Sequence, residues 1–172
     1  MACRDSRKIF RLCRTYCEVQ LIFQAFNNII WQPDRIKYVL DLLSKVGFAL
    51  YYSFDNIVIL STIQFLKIDK KPWYEISNMC WLIGLCFGVL KDLHELKSCL
   101  SQSLTTKQEK LEQQRLVIKL VLNMVSKIGD MMSAANGARI TVNYLGGEFS
   151  EKVVSFGGLI SGLIGSFNLL NK

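Results

Sequence analysis

Hydrophobic and polar residues follow a helical period along almost the whole chain, and no strand-like alternation persists. The helices are predicted over residues 4–26, 34–66, 73–100 and 107–135. Proline occurs only at positions 33 and 72, which separate predicted helices, so we expect short turns between them. The pattern predicts an all-α, membrane-associated bundle of about four to six helices that forms a single domain, residues 1–172.

The segment from Val153 to Asn171 is nineteen residues long and carries no charge. Its small residues fall in two rows of helical period, which are Gly157, Ser161 and Gly165, and Gly158, Gly162 and Ser166. Four glycines in a helix in water cost roughly 4 kcal/mol relative to alanine, whereas in lipid small residues let two helices approach closely. We therefore expect residues 153–171 to be a Gly-rich membrane segment whose small residues mediate self-association. The alternative is a glycine-rich helix or loop inside a globular core.

The first predicted helix, residues 4–26, has a basic side and an apolar side in its first turns. Such a helix can lie in the headgroup plane with its apolar side among acyl chains, which makes anionic membrane lipid the expected partner. The alternative is a surface helix that packs on the core of its own chain. The residues expected to contact the membrane are Arg4, Arg7, Lys8, Ile9, Phe10, Arg11, Leu12, Arg14 and Tyr16.

The second and third predicted helices, residues 34–66 and 73–100, have the pattern of a hydrophobic helical hairpin. Residues 46–66 hold a single charge, Asp55, so insertion of this stretch is marginal and it either spans the membrane or lies in its plane. The apolar run of residues 79–90 is twelve residues long, too short to span alone, and is expected to pack back against the preceding helix. The wet end of this hairpin is expected to hold Lys91, Asp92, His94 and Glu95.

Local signals predict where two of the helices begin. Pro72 suits the first position of its helix, because proline lacks the backbone N–H that would be unpaired there. Residues 101–108 read as a linker, and Thr106 with Glu109 predicts a capping box for the amphipathic helix of residues 107–135.

The composition of the chain excludes several classes of function but does not identify one. A net charge of +7 favours an anionic partner such as nucleic acid or acidic lipid, and charge alone does not choose between them. Nucleic acid is disfavoured because the aromatics of the first helix lie opposite its charges. Six cysteines without a C-x-x-C pair and a single histidine indicate no metal site and no cofactor, and no catalytic motif is present, so we expect no enzyme.

Asp55 is the acid most deeply placed in an apolar stretch. A carboxylate inside an apolar helix usually faces a partner or a polar cavity. Two interpretations stay open: a structural hydrogen bond within the bundle, and a pore or ion path lined near Asp55.

Several segments, in order, carry a family resemblance. Residues 48–57 read Phe-Ala-Leu-Tyr-Tyr-Ser-Phe-Asp-Asn-Ile, residues 67–73 end in Lys-Lys-Pro-Trp, and residues 90–96 contain Lys-Asp-Leu-His-Glu. The stretch of residues 8–12 and the glycine-rich residues 153–161 extend the likeness to both ends. Together these segments resemble the peroxisomal biogenesis factor 11 family. The family's further N-terminal helices do not precede residue 8 here, so we expect a fragment or a shortened member.

The resemblance implies a protein of the peroxisomal membrane that elongates the membrane and promotes peroxisome division. It implies insertion of an amphipathic helix, homo-oligomers formed through membrane segments, and organelle fission machinery as a partner. Pores for small metabolites are also associated with the family. Membrane remodelling is therefore the leading hypothesis, a small-solute channel of the peroxisomal membrane is the second, and a soluble helical adaptor is the third.

Overall fold

The computed structural model describes residues 14–27, 34–102 and 106–170. Within these ranges the chain forms six helices and no strand, which confirms the all-α prediction. The helices are α1, Arg14–Asn27; α2, Arg35–Thr62; α3, Lys70–Leu100; α4, Lys107–Gly137; α5, Ile140–Leu145; and α6, Glu151–Leu170.

Consecutive long helices run antiparallel. Between α2 and α3, Lys37 pairs with Glu95 at one end, while the rings of Phe54 and Trp73 lie 5.9 Å apart at the other. The same reversal relates α1 to α2, α3 to α4, and α4 to α6. One end of the assembly therefore gathers the first residues of α2 and α4 with the last residues of α3 and α6.

The helices form a layer instead of a closed bundle, because each of the long helices packs mainly on its neighbours in sequence: α1 on α2, α2 on α3, α3 on α4, and α4 on α6. The accessible surface is 12052 Å², against roughly 8,600 Å² for a compact soluble monomer of 19.7 kDa. The buried core is correspondingly small, with Ile59, Leu85 and Ala134 among its most enclosed side chains. Much of the apolar surface is left uncovered by the described residues.

Pairs of glycines set the closest helix contacts. A Cβ added to Gly47 of α2 would lie 2.6 Å from the Cα of Gly84 of α3, and one added to Gly129 of α4 would lie 2.5 Å from the carbonyl oxygen of Gly157 of α6. Beside the first pair, the Ser44 hydroxyl donates to the Gly84 carbonyl at 2.8 Å. These contacts bring helix backbones together as small residues do in membranes.

The predicted helix starts are partly confirmed. The capping box is present, since Thr106 and Glu109 bond each other's backbone N–H groups at the start of α4. The position predicted for Pro72 is wrong: α3 begins at Lys70 with Asp69 as its N-cap, so Pro72 is the third helical residue. Proline is tolerated there because the first turn has no intrahelical acceptors for its N–H groups.

Other boundaries differ from the pattern. Helix α2 ends at Thr62, and Gln64 adopts a left-handed conformation with φ of 62° in the turn that follows. The short α5 was not predicted. It follows Arg139, which is also left-handed, and the Asn136 side chain holds this turn by bonding Thr141 and both backbone groups of Phe149.

By length and composition, one helix of the described part of the chain, α3, could cross a membrane. The expectation that this region is too short to span rested on the uninterrupted apolar run of residues 79–90. Helix α3 extends well beyond that run, and the six residues before it, 73–78, hold one charge, Glu75, so the expectation is wrong by length and composition.

Candidate functional site

Helix α1 turns an apolar stripe away from the other described helices. Tyr16, Val19, Phe23 and Phe26 recur at helical spacing and are exposed, the two phenylalanines by 66% and 51%. The opposite face rests on α2, where Thr15 accepts from Asn56 and the Ala25 carbonyl accepts from Tyr38. No residue of this helix is buried. The stripe is therefore an apolar surface that the described residues leave uncovered.

The predicted membrane contacts separate into three groups. Tyr16 lies on the exposed stripe, where its hydroxyl accepts a hydrogen bond from Gln20 at 2.7 Å. Arg14 instead faces α2, with its guanidinium carbon 5.6 Å from the centroid of the Tyr52 ring. The remaining predicted contacts lie outside the described residues; they are Arg4, Arg7, Lys8, Ile9, Phe10, Arg11 and Leu12.

The two small-residue rows of α6 have different surroundings. In the first row, Gly157 packs against Gly129 and Ser161 lies 3.0 Å from the Ser126 hydroxyl, so both contact α4 of the same chain. In the second row, a Cβ added to Gly158 or Gly162 would meet no atom within 4 Å. Ser166 of this row is also exposed, and Gly165 of the first row has equally open space. Self-association stays a prediction. Among the described residues, the surface of α6 that a second copy could contact consists of the second row together with Gly165.

The rest of the outer face of α6 is apolar. Phe156, Leu159, Leu163 and Phe167 form a stripe at helical spacing, each more than half exposed. The layer therefore ends on both sides in helices whose outward faces are hydrophobic, α1 on one side and α6 on the other. Exposed apolar patches of this kind mark surfaces that contact lipid or another protein.

A cleft of about 690 Å³ lies on one side of the layer, between α1, α2, α3 and α4. Its aromatic wall includes Tyr51 and Trp81, whose rings stack with centroids 5.2 Å apart. The charged side chains that line it are Arg14, Asp55, Lys127 and Asp130. Asp55 thus lines a cleft shared by four helices, and both interpretations of this residue stay predictions.

Two of these charged groups are held by their neighbours. The Lys127 ammonium donates to the Asp92 carboxylate at 2.6 Å and to the Gly88 carbonyl at 3.1 Å, while Asp130 accepts a hydrogen bond from Ser161. Charges therefore line a polar cleft flanked by apolar helices, an arrangement that can bind or pass a small polar solute.

The polar residues of the Lys-Asp-Leu-His-Glu segment reach different helices. Lys91 pairs with Asp41 at 2.9 Å and Glu95 with Lys37 at 3.0 Å, both on α2, and His94 Nδ1 lies 3.5 Å from Asp34. Asp92 points the other way, to Lys127 of α4. This segment therefore fixes the relative positions of three helices and has a structural role.

Acid is expected to loosen this end of the hairpin. Burial alone raises the pKa of Asp41, but hydrogen bonds from Lys45 and Lys91 outweigh it and bring the pKa below its usual 3.8. Because the folded-state pKa is depressed, the stabilisation is complete above the unfolded pKa and is lost as pH falls through the folded value. Melting temperatures measured in detergent from pH 6 to pH 3 should fall with acid, and less steeply in Asp41→Asn. Identical slopes for the two proteins would contradict this assignment.

Sequence reasoning missed Lys127 and Asp130 as residues of the cleft. They lie three residues apart in the apolar half of α4, and that spacing was the signal available, since it puts both on one helix face. Within the described ranges, no group of three or more histidine, cysteine, aspartate or glutamate side chains is placed to hold a metal ion.

Comparison with known proteins supports one family over nearly the whole chain. Residues 2–170 match the model of the family described as peroxisomal biogenesis factor 11. The chain is 26% identical to the peroxisomal membrane protein 11 homolog of Dictyostelium discoideum, over 98% of this chain and 75% of that protein. It is 23% identical to peroxisomal membrane protein PMP27 of Saccharomyces cerevisiae, over 92% and 72% of the two chains.

A third relative is peroxisomal membrane protein PMP30B of Candida boidinii, 24% identical over 96% of this chain and 73% of that protein. No solved structure matches the chain. The family match covers the segments that carried the resemblance, from residue 8 to the glycine-rich helix. The chain therefore belongs to the peroxisomal biogenesis factor 11 family and is a protein of the peroxisomal membrane.

Proposed function

We propose that this protein remodels the peroxisomal membrane, elongating it and promoting peroxisome division. The observation that carries the proposal is the pair of uncovered apolar stripes on the two edge helices, α1 and α6. Membership of a peroxisome biogenesis family supports it, because such a protein acts on the organelle's own membrane. A soluble adaptor does not fit a protein of the peroxisomal membrane.

The proposed mechanism begins with α1. Its stripe of Tyr16, Val19, Phe23 and Phe26 enters one leaflet, while the basic residues that precede it contact anionic headgroups. A helix seated in a single leaflet expands that leaflet relative to the other, and the area difference bends the bilayer.

Self-association is proposed to concentrate this effect. Helix α6 is proposed to lie in the bilayer, where the open row of Gly158, Gly162 and Ser166 lets a second copy approach closely, as small residues do between membrane helices. Copies joined in this way place several α1 wedges side by side. Recruitment of organelle fission machinery to such an assembly is part of the proposal.

Removing the apolar stripe of α1 should uncouple the protein from membranes. In Phe23→Gln/Phe26→Gln, each substitution removes roughly 1.5 to 3 kcal/mol of apolar transfer energy, so partition of the protein should fall at least tenfold. The measurement is flotation with liposomes containing anionic lipid, with tubulation of the same liposomes scored by electron microscopy. Gln20→Ala/Gln24→Ala, on the same helix, is the matched control.

Reversing the charge of the basic residues before α1 tests the same role independently in the flotation assay. Arg7→Glu/Lys8→Glu/Arg11→Glu should abolish flotation with anionic liposomes, because the reversed charges are repelled by the headgroups. Normal flotation and tubulation by both the aromatic and the charge-reversed variants would overturn the proposed role of α1.

A small-solute channel is the second candidate function, and the cleft favours it. Asp55 lines the cleft together with Arg14, Lys127 and Asp130, so charged groups are present within the apolar part of the layer. A path of this kind is where a polar solute would move past apolar helices.

Neutralising Asp55 tests the channel. Asp55→Asn should change conductance and reduce any preference for cations in planar bilayers, because it removes a negative charge from the wall of the path. Glu112→Gln, an exposed position on α4 away from the cleft, is the control and should leave the current unchanged. No current from the unmodified protein would remove this candidate while leaving the remodelling proposal in place.

A further inference from the structure

We infer that the groove between α4 and α6 binds one anionic phospholipid, its headgroup on Arg115 and Lys119 and an acyl chain against Phe167. The groove encloses about 420 Å³ and is lined by Arg115, Ile118, Lys119, Leu122, Phe167 and Asn168. This inference rests on the proposal that α6 lies in the bilayer, and it adds a lipid site distinct from α1.

The two cations of the groove are available to an anion. Arg115 and Lys119 are four residues apart, on one face of α4, and both are exposed. None of the ion pairs formed among the described residues uses either of them. Two adjacent, unneutralised cations match the charge of a phosphodiester, and the planar guanidinium of Arg115 suits its oxygens.

The apolar side of the groove fits a hydrocarbon chain. Ile118 and Phe167 are 59% and 56% exposed, so each presents an apolar surface to the groove. Leu122 forms a deeper wall, and the Asn168 amide donates to Asn123 at 2.9 Å, which joins the two helices beneath the groove. A charged rim beside an apolar wall is the arrangement of a lipid site between membrane helices.

The position of the groove along α6 also suits a headgroup. Its wall residue Phe167 lies fourteen residues beyond Val153, where the uncharged stretch begins, a distance of about 21 Å along a helix. Lys119 and Arg115 lie four and eight residues before Asn123, which bonds Asn168, so they extend about 6 and 12 Å further along the antiparallel α4. In a hydrocarbon layer about 30 Å thick that α6 enters near Val153, they therefore lie near its far boundary. Charged side chains at that level meet phosphates and not acyl chains.

The test is native mass spectrometry of the full chain in detergent micelles that contain phosphatidylinositol or phosphatidylcholine. We expect the unmodified protein to retain one phosphatidylinositol and no phosphatidylcholine. Arg115→Gln/Lys119→Gln should weaken retention about thirtyfold, since each cation near anionic lipid contributes roughly a factor of five. Lys107→Gln/Lys110→Gln removes the same charge from the same helix outside the groove and should retain the lipid.

Equal losses in both double variants, or no loss in the first, would overturn the site. Phe167→Ser should weaken retention of the lipid about tenfold, because it removes the apolar wall. Displacement of the lipid by soluble inositol phosphate at equal concentration would show a site for free phosphate esters and also overturn the inference. If the first double variant does not fold, each single substitution should give about a fivefold loss.

Carbonate extraction of membranes carrying the same proteins separates this inference from the proposal beneath it. A chain that resists extraction but retains no anionic lipid is embedded without this site, so the inference alone fails. A chain that is extracted yet retains the lipid has the site, and the proposed embedding of α6 fails instead.

Discussion

Replacing Lys127 with methionine is expected to destabilise the folded protein by about 3 to 5 kcal/mol, the usual cost of leaving a buried charge without its partner. The substitution leaves the Asp92 carboxylate without its partner. In the unmodified protein the Asp92 side chain is 4% exposed and lies 2.6 Å from the Lys127 ammonium. The Gly88 carbonyl loses the same donor.

The measurement is the free energy of unfolding from titration with sodium dodecyl sulfate in mixed micelles, followed by circular dichroism. Lys110→Met on the exposed part of the same helix is the control and should stay within about 0.5 kcal/mol of the unmodified protein. Asp92→Leu/Lys127→Met removes both charges and should recover most of the stability, since an apolar pair of similar size replaces a buried ion pair at little cost. A Lys127→Met variant as stable as its control would refute this role of the pair.

The second large effect is expected at the contact between α2 and α3. Gly47→Ala should destabilise the hairpin by about 2 to 3 kcal/mol, because the new methyl group would lie 2.6 Å from the Cα and 2.8 Å from the nitrogen of Gly84. These are backbone atoms that cannot rotate away, so the helices must separate. Separation also breaks the hydrogen bond from Ser44 to the Gly84 carbonyl.

Gly158→Ala is the matched control for this prediction, since its added methyl group would meet no atom within 4 Å. Alanine is the better helix former by up to about 1 kcal/mol, so the control should be as stable as the unmodified protein or slightly more stable. The same titration compares the two variants. Equal stabilities for Gly47→Ala and Gly158→Ala would show that the close approach of α2 and α3 is not needed.

Local rules were enough to predict the long helices but not the short α5. The capping box at Thr106 and Glu109 and the ends of α4 near Gly137 follow from signals within one turn of the chain. The hairpin of α2 and α3 followed from two long apolar patterns joined by a short polar turn. Such features depend on residues that are close in sequence, so the pattern of hydrophobic and polar residues can predict them.

The contacts between helices could not be predicted from local sequence signals. Nothing near Gly47 distinguishes it from a glycine that merely weakens a helix, because its partner Gly84 is thirty-seven positions away. The division of the α6 rows into one that packs on α4 and one that is open also depends on where Gly129 and Ser126 lie. These roles need the register between helices, which single-helix periodicity does not specify.

The contacts of the segment that contains Lys91, Asp92, His94 and Glu95 could also not be predicted from the sequence. The sequence pattern identifies it as a family feature and places its residues at a wet end of the hairpin, which is wrong for Asp92, because that residue is buried. The structural role of this segment depends on ion pairs with residues of α2 and α4, which are Asp41, Lys37 and Lys127. A family pattern can therefore be recognised before the contacts that explain it are known.

The depth of α6 in the bilayer tests the central claim most directly. In proteoliposomes of a cysteine-free variant, a fluorophore placed on Gly162→Cys should be quenched by acyl chains that carry deep spin labels and protected from iodide in the water. The same fluorophore on Lys110→Cys, at the charged end of α4, should show the reverse. Quenching of the Gly162 label by iodide as strong as that of the Lys110 label would contradict the claim that α6 lies in the membrane.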